Sequence, residues 1–129
     1  MSPIDVGKHV AFWRDGSVED WDVACALVRK RHIRHGLFFA HLALEKLLKA
    51  LVVQHTGELA PRVHSLVRLD EVAGVTPDEM QMDTLAEMTA FSIEGRYPEL
   101  LTPPPSHAEA KDLMRRAEEV RSWLTAQLR

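Results

Sequence analysis

From Leu37 to His55 the chain carries apolar side chains around most of a helical circumference: Leu37, Phe38, Phe39, Leu42, Leu44, Leu47, Leu48, Leu51, Val52 and Val53. A helix that is apolar nearly all round must be buried on several sides, so other helices have to surround it. The one relief is a polar stripe, His41, Glu45 and Lys49 at i, i+4 and i+8, with Lys46 beside it. On that spacing the stripe reads as the helix's solvent-facing strip, tied by a Glu45–Lys49 pair. The alternative is a stripe lining a groove or dimer seam, where His41 exchanges protons near neutral pH. Gly57 ends this central helix.

The remaining periodicities are helical too. Ser17 is a good N-cap, with Glu19, Asp20 and Asp22 favouring the dipole behind it, and Val18, Trp21, Cys25 and Val28 fall on one face. Arg29, Lys30 and Arg31 close that helix, and Gly36 marks a break before the central one. After a loop through Pro61, a short helix is expected near 65–73, capped by Ser65. Thr76-Pro77-Asp78-Glu79 reads as a capping box opening a helix to about residue 91, which Gly95-Arg96-Tyr97-Pro98 breaks. Ser106-His107-Ala108-Glu109 is a second capping box, and Ala110, Leu113, Ala117, Val120 and Leu124 mark the core side of the last helix. No strand alternation and no Asn-Gly or Asp-Gly hairpin turn occurs. The expectation is all-α: one domain over residues 1–129, core about 17–126, an antiparallel up-and-down bundle of about five helices.

Composition narrows the class. With 46% hydrophobic and 27% charged residues the chain is an ordinary globular one, not a disordered or fibrous one. No uninterrupted apolar run approaches the ~20 residues a bilayer span requires, and the opening residues lack the layout of a secretory signal. A single cysteine, Cys25, fits a reducing cytoplasm. The net charge is -3 but unevenly divided: residues 29–68 hold eight Lys or Arg against two acids, residues 69–99 eight acids against Arg96 alone. Such a chain can offer a basic face to an anion, or pair with itself, basic face to acidic face.

Seven scattered histidines without HExxH or paired cysteines predict no metal site, and no Gly-rich phosphate loop or GxSxG elbow occurs. No cofactor is expected. Three features remain. The basic run Arg29, Lys30, Arg31, Arg34 is a solvated helix end or a phosphate-contacting patch. The stripe His41, Glu45, Lys49 is the second. Arg96 is the third: an Arg isolated among acids is a salt-bridge anchor or a guanidinium held out for phosphate.

Taken together, three segments resemble the HEPN domain (higher eukaryotes and prokaryotes nucleotide-binding). They are Phe38 to Glu58, with its aromatic start followed by His41, Glu45-Lys46 and Lys49-Ala50; Pro61-Arg62-Val63-His64-Ser65-Leu66; and Glu94-Gly95-Arg96-Tyr97-Pro98. The resemblance implies a short helical bundle that forms a homodimer. It also implies a role with nucleotide or RNA beside a minimal nucleotidyltransferase partner, as a toxin–antitoxin pair or a substrate-binding complex. Arg29, Lys30, Arg31, Arg34, His41, Glu45, Lys49, His64, Arg96 and Tyr97 become candidate contacts. Other members of that family are metal-independent ribonucleases using Arg-x(4–6)-His, the His acting on the ribose hydroxyl or leaving group and the Arg steadying the phosphate. Here the positions that should supply the histidine after Arg96 are Leu101, Thr102 and Pro103. That argues against an active ribonuclease, and leaves an atypical combination of Arg34, His41 and Arg96 as the alternative.

Overall fold

The computed structural model describes residues 4–96 and 103–129, with side chains at all of these except 93–96. Five helices make up the architecture: α1 (Val6–Arg29), α2 (Ile33–Thr56), α3 (Leu66–Ala73), α4 (Glu79–Arg96) and α5 (His107–Gln127), with no strand among the described residues. The central helix is α2, as its composition demands. Leu37, Ala40, Ala43, Leu44, Leu48 and Val53 are fully buried within it, and α1, α3, α4 and α5 all pack against it.

Helices α1 and α2 form an antiparallel hairpin, with Trp13 beside Lys49, Ser17 beside Ala43 and Val28 beside Gly36. Here the structure corrects the sequence reading. The first helix starts twelve residues before the expected point, with Asp5 as its N-cap accepting from the Lys8 amide at 3.0 Å. Ser17 is not a cap. It is buried mid-helix, and its hydroxyl donates to the Ala43 carbonyl at 2.6 Å, a bond across the hairpin that compensates its burial. The buried face of α1 accordingly runs through Ser17, Trp21, Ala24 and Val28, while Val18 is exposed.

Gly36 is no break either. It sits in the first turn of α2, where an added Cβ would lie 2.6 Å from Val28 Cγ2 and 3.0 Å from the Val28 backbone nitrogen. Its missing side chain is what lets the two helices approach. The reversal occurs earlier, at Arg31, whose φ of 67° is left-handed, with the His32 amide bonded to the Leu27 carbonyl at 2.8 Å.

Helix α3 begins where expected: Ser65 accepts from the Arg68 amide, and left-handed Gly74 ends the helix. Helix α4 is capped not by Thr76 and Glu79 but two residues later. Asp78 Oδ1 accepts from the Gln81 amide at 2.7 Å and Gln81 Oε1 from the Asp78 amide at 2.8 Å, which leaves Pro77 outside the helix. It also runs to Arg96, past the expected end near 91. The capping box at Ser106 and Glu109 is present as read, and the five expected core residues of α5 are all buried. Arg116 reaches Glu87 on α4 at 2.8 Å, and Gln54 on α2 holds the Gln127 carbonyl and the Arg129 amide at the end of α5.

Candidate functional site

On α2, positions 34, 38, 41, 45 and 49 recur every three or four residues and share one face. Beyond half-buried Arg34, the polar members of that face do not meet solvent. His41 is 0%, Glu45 5% and Lys49 6% exposed, so the stripe read as a solvent-facing strip is buried, beneath α1 and the segment leading into α3.

Each burial is compensated by a specific partner. The Glu45 carboxylate is the hub: Oε2 accepts from Lys49 Nζ at 3.1 Å and Oε1 from His64 Nδ1 at 2.9 Å. Lys49 Nζ also lies 5.2 Å from the centre of the Trp13 ring, so its remaining face is covered by a cation–π contact from α1. His41 Nε2 lies 2.8 Å from the His64 carbonyl and 3.8 Å from Glu45 Oε1. A carbonyl can only accept, so His41 Nε2 carries the proton and donates it there. The arrangement ties α1, α2 and the loop before α3 together through one carboxylate. One turn on, the Leu66 amide, an orphan donor at the start of α3, is satisfied by Thr89 Oγ1 of α4 at 3.2 Å.

The structure thus brings His41, Glu45, Lys49 and His64 together. It does not bring the basic run to them. Arg29, Lys30 and Arg31 are exposed at the reversal between α1 and α2, and Arg34 occupies the first turn of α2. That places position 34 ~10 Å along the helix axis from His41. Arg96 is the last residue of α4, seven positions beyond Thr89, and Tyr97 lies outside the described residues. Cys25 is half-buried, and burial pushes its thiol above the ordinary value, against a role as a nucleophile. Among the described residues no three His, Cys, Asp or Glu side chains are arranged to hold a metal ion, and no helix is long and apolar enough to cross a membrane.

Trp13 is the site residue that sequence reasoning missed. Its signal was present: Val6, Val10, Trp13, Ser17, Trp21, Ala24 and Val28 recur at three or four residues along a single helix. Reading Ser17 as a cap cut that period in half.

The family model for the HEPN domain matches residues 10–127. Among solved structures, TT1696 from Thermus thermophilus is similar with a TM-score of 0.78 at 18% identity, over 92% of this chain and 98% of that one. ST0689, an archaeal HEPN homologue, is similar with a TM-score of 0.72 at 19% identity, over 93% of this chain and 98% of that one. At such identities these likenesses speak for the fold alone. No curated protein matches the sequence.

Proposed function

The chain belongs to the HEPN domain family, and from that premise we propose that it is a non-catalytic module that associates with nucleotide or RNA. In this reading it acts as a cytoplasmic homodimer beside a minimal nucleotidyltransferase, as the binding subunit or as one half of a toxin–antitoxin pair. One observation carries the absence of catalysis. The histidine that an Arg-x(4–6)-His ribonuclease needs after Arg96 is replaced by Leu101, Thr102 and Pro103. The histidine of the alternative Arg34 and His41 pair, His41, is 0% exposed, with Nε2–H committed to the His64 carbonyl. A base or acid must reach the proton it moves, and that nitrogen is held away from solvent.

The binding half of the proposal draws on the cations left in solvent. Arg29, Lys30 and Arg31 stand exposed at the α1–α2 reversal, and Arg34, Arg96 and Tyr97 are the further contacts this reading assigns. Buried His41, Glu45 and Lys49, with half-exposed His64, serve as the brace that joins α1, α2 and the segment before α3.

Labelled RNA incubated with the purified protein in EDTA decides between the readings. Intact RNA in every lane is expected, together with binding that weakens steeply as salt rises, because phosphate contacts release counterions. Arg96→Ala is expected to weaken that binding at least severalfold while the helical signal stays unchanged. Cleavage by the wild type, lost in Arg96→Ala or His41→Ala, would make this an atypical ribonuclease and overturn the proposal.

A further inference from the structure

Along the first turns of α1, beside the loop that follows α2, lies a basin of about 440 Å³. Two aromatic rings, Phe12 and Trp13, form part of its wall, set edge to face with centroids 5.3 Å apart. Lys8, His9 and Arg62 line it as well, and no carboxylate does so among the described residues. In a chain of net charge -3 that is an unusual local balance. Lys49 also borders the basin, but its ammonium is already held by Glu45 and the Trp13 ring. It fixes the ring and leaves Lys8 and Arg62, which make no ion pair among the described residues, as the cations open to a ligand.

The Phe12 ring is exposed like Lys8 and Arg62, while Trp13 is half-buried behind it. Phe12 is 67% and Leu59 62% exposed, two of the five large apolar side chains most open to solvent among the described residues, and both border this one basin. An exposed ring next to uncompensated cations suits a ligand with a flat apolar face and a negative group. The volume is within the range of small-molecule sites and too small for a partner helix.

We propose that this basin binds a single nucleotide unit, its base laid on the Phe12 ring and its phosphate held by Lys8 and Arg62. Base stacking on an aromatic side chain is tolerant of base identity, and the guanidinium fork matches phosphate oxygens. The assignment rests on the nucleotide reading above and gives that reading a place that none of its expected contact residues, Lys49 apart, occupies. The unit has two sources, a free mononucleotide or one residue of single-stranded RNA.

Equilibrium dialysis of the full chain against GMP and against pentauridylate tests the proposal. The variants are Lys8→Ala with Arg62→Ala, Phe12→Ala, and the triple change Arg29→Ala, Lys30→Ala, Arg31→Ala. All of these side chains are exposed, so circular dichroism should be unchanged. Affinity is expected to fall tenfold or more in the first two variants and by a smaller factor in the triple variant, whose cations do not line the basin. Pentauridylate binding tighter than GMP supports the basin and assigns the RNA source; equal affinity supports it and assigns the free nucleotide. Binding that survives the first two variants and is lost in the triple variant overturns the basin and leaves the nucleotide reading standing. No binding of either probe to the wild type overturns both. A Glu-Phe-Glu tripeptide that binds the basin more tightly than either probe overturns the ligand assignment.

Discussion

Glu45 accepts from two donors on different elements, Lys49 and His64, and is almost wholly buried while doing so. Its importance lies less in the attraction it supplies than in what its removal would strand. A buried ammonium left without its carboxylate loses about 3–5 kcal/mol, whereas an apolar replacement of both partners is often neutral. Glu45→Ala is therefore expected to lower the unfolding free energy by about 3 kcal/mol or more in urea titration. Glu45→Met combined with Lys49→Met should recover most of that loss; a double variant as unstable as the single one would refute this account of the stripe. Such recovery would also separate the two functions of Lys49, since the Trp13 ring would then be packed by an uncharged side chain.

At the scale of elements, the α1–α2 hairpin depends on one missing side chain. Gly36 faces Val28 so closely that a Cβ would meet its Cγ2 at 2.6 Å and, less avoidably, its backbone nitrogen at 3.0 Å and the Ala24 carbonyl at 3.3 Å. Alanine at that position gains ~1 kcal/mol of helix propensity. The backbone contacts cannot rotate away as a side chain can, so the hairpin must open. Gly36→Ala is expected to destabilise the protein by about 1–2 kcal/mol net, read as a lower melting temperature. A rise in melting temperature would mean that the helices separate freely. The same hairpin carries a second link, Lys46 Nζ to Asp20 Oδ2 at 2.7 Å, and the Ser17–Ala43 bond between them. These contacts hold α1 against α2 from Ser17 to Val28, and the Trp13–Lys49 contact carries the same face on toward the start of α1.

For the molecule as a whole, pH dependence should be dominated by one carboxyl. Asp70 lies on the buried side of α3 with Leu66, Leu69 and Ala73, 4% exposed, and its Oδ1 has no hydrogen-bond partner among the described residues. Burial first, and the Glu71 charge second, raise its pKa to about 6 from an ordinary 3.8. A carboxyl whose folded pKa is raised costs nothing below about 4, where both states are protonated, and penalises the fold increasingly as pH climbs through the folded value. At pH 7 the penalty is as much as about 3 kcal/mol. Asp70→Asn removes the charge and keeps the shape, so it should stabilise the protein at pH 7 and do little at pH 4. Melting curves of both proteins across that range check it; an equal shift at both pH values would exclude the carboxyl as the cause.

Period and punctuation along the chain were enough to determine five helices, their order and the burial of α2 and α5. An apolar side chain has one favourable destination, and Ser106, Ser65 and Gly57 end their helices with bonds made a few residues away. The fate of the polar stripe could not be read that way. Periodicity places His41, Glu45 and Lys49 on one face, but whether that face meets water or protein depends on what covers it. The covering groups are Trp13, thirty-six residues before Lys49, and His64, nineteen after Glu45. The same limit hid the basin at Phe12, whose residues come from the start of α1 and the loop after α2. Helix type is set by neighbours three and four residues apart, which a sequence displays. The environment of a polar side chain is set by whichever distant segment packs over it, and that is decided only when the chain folds.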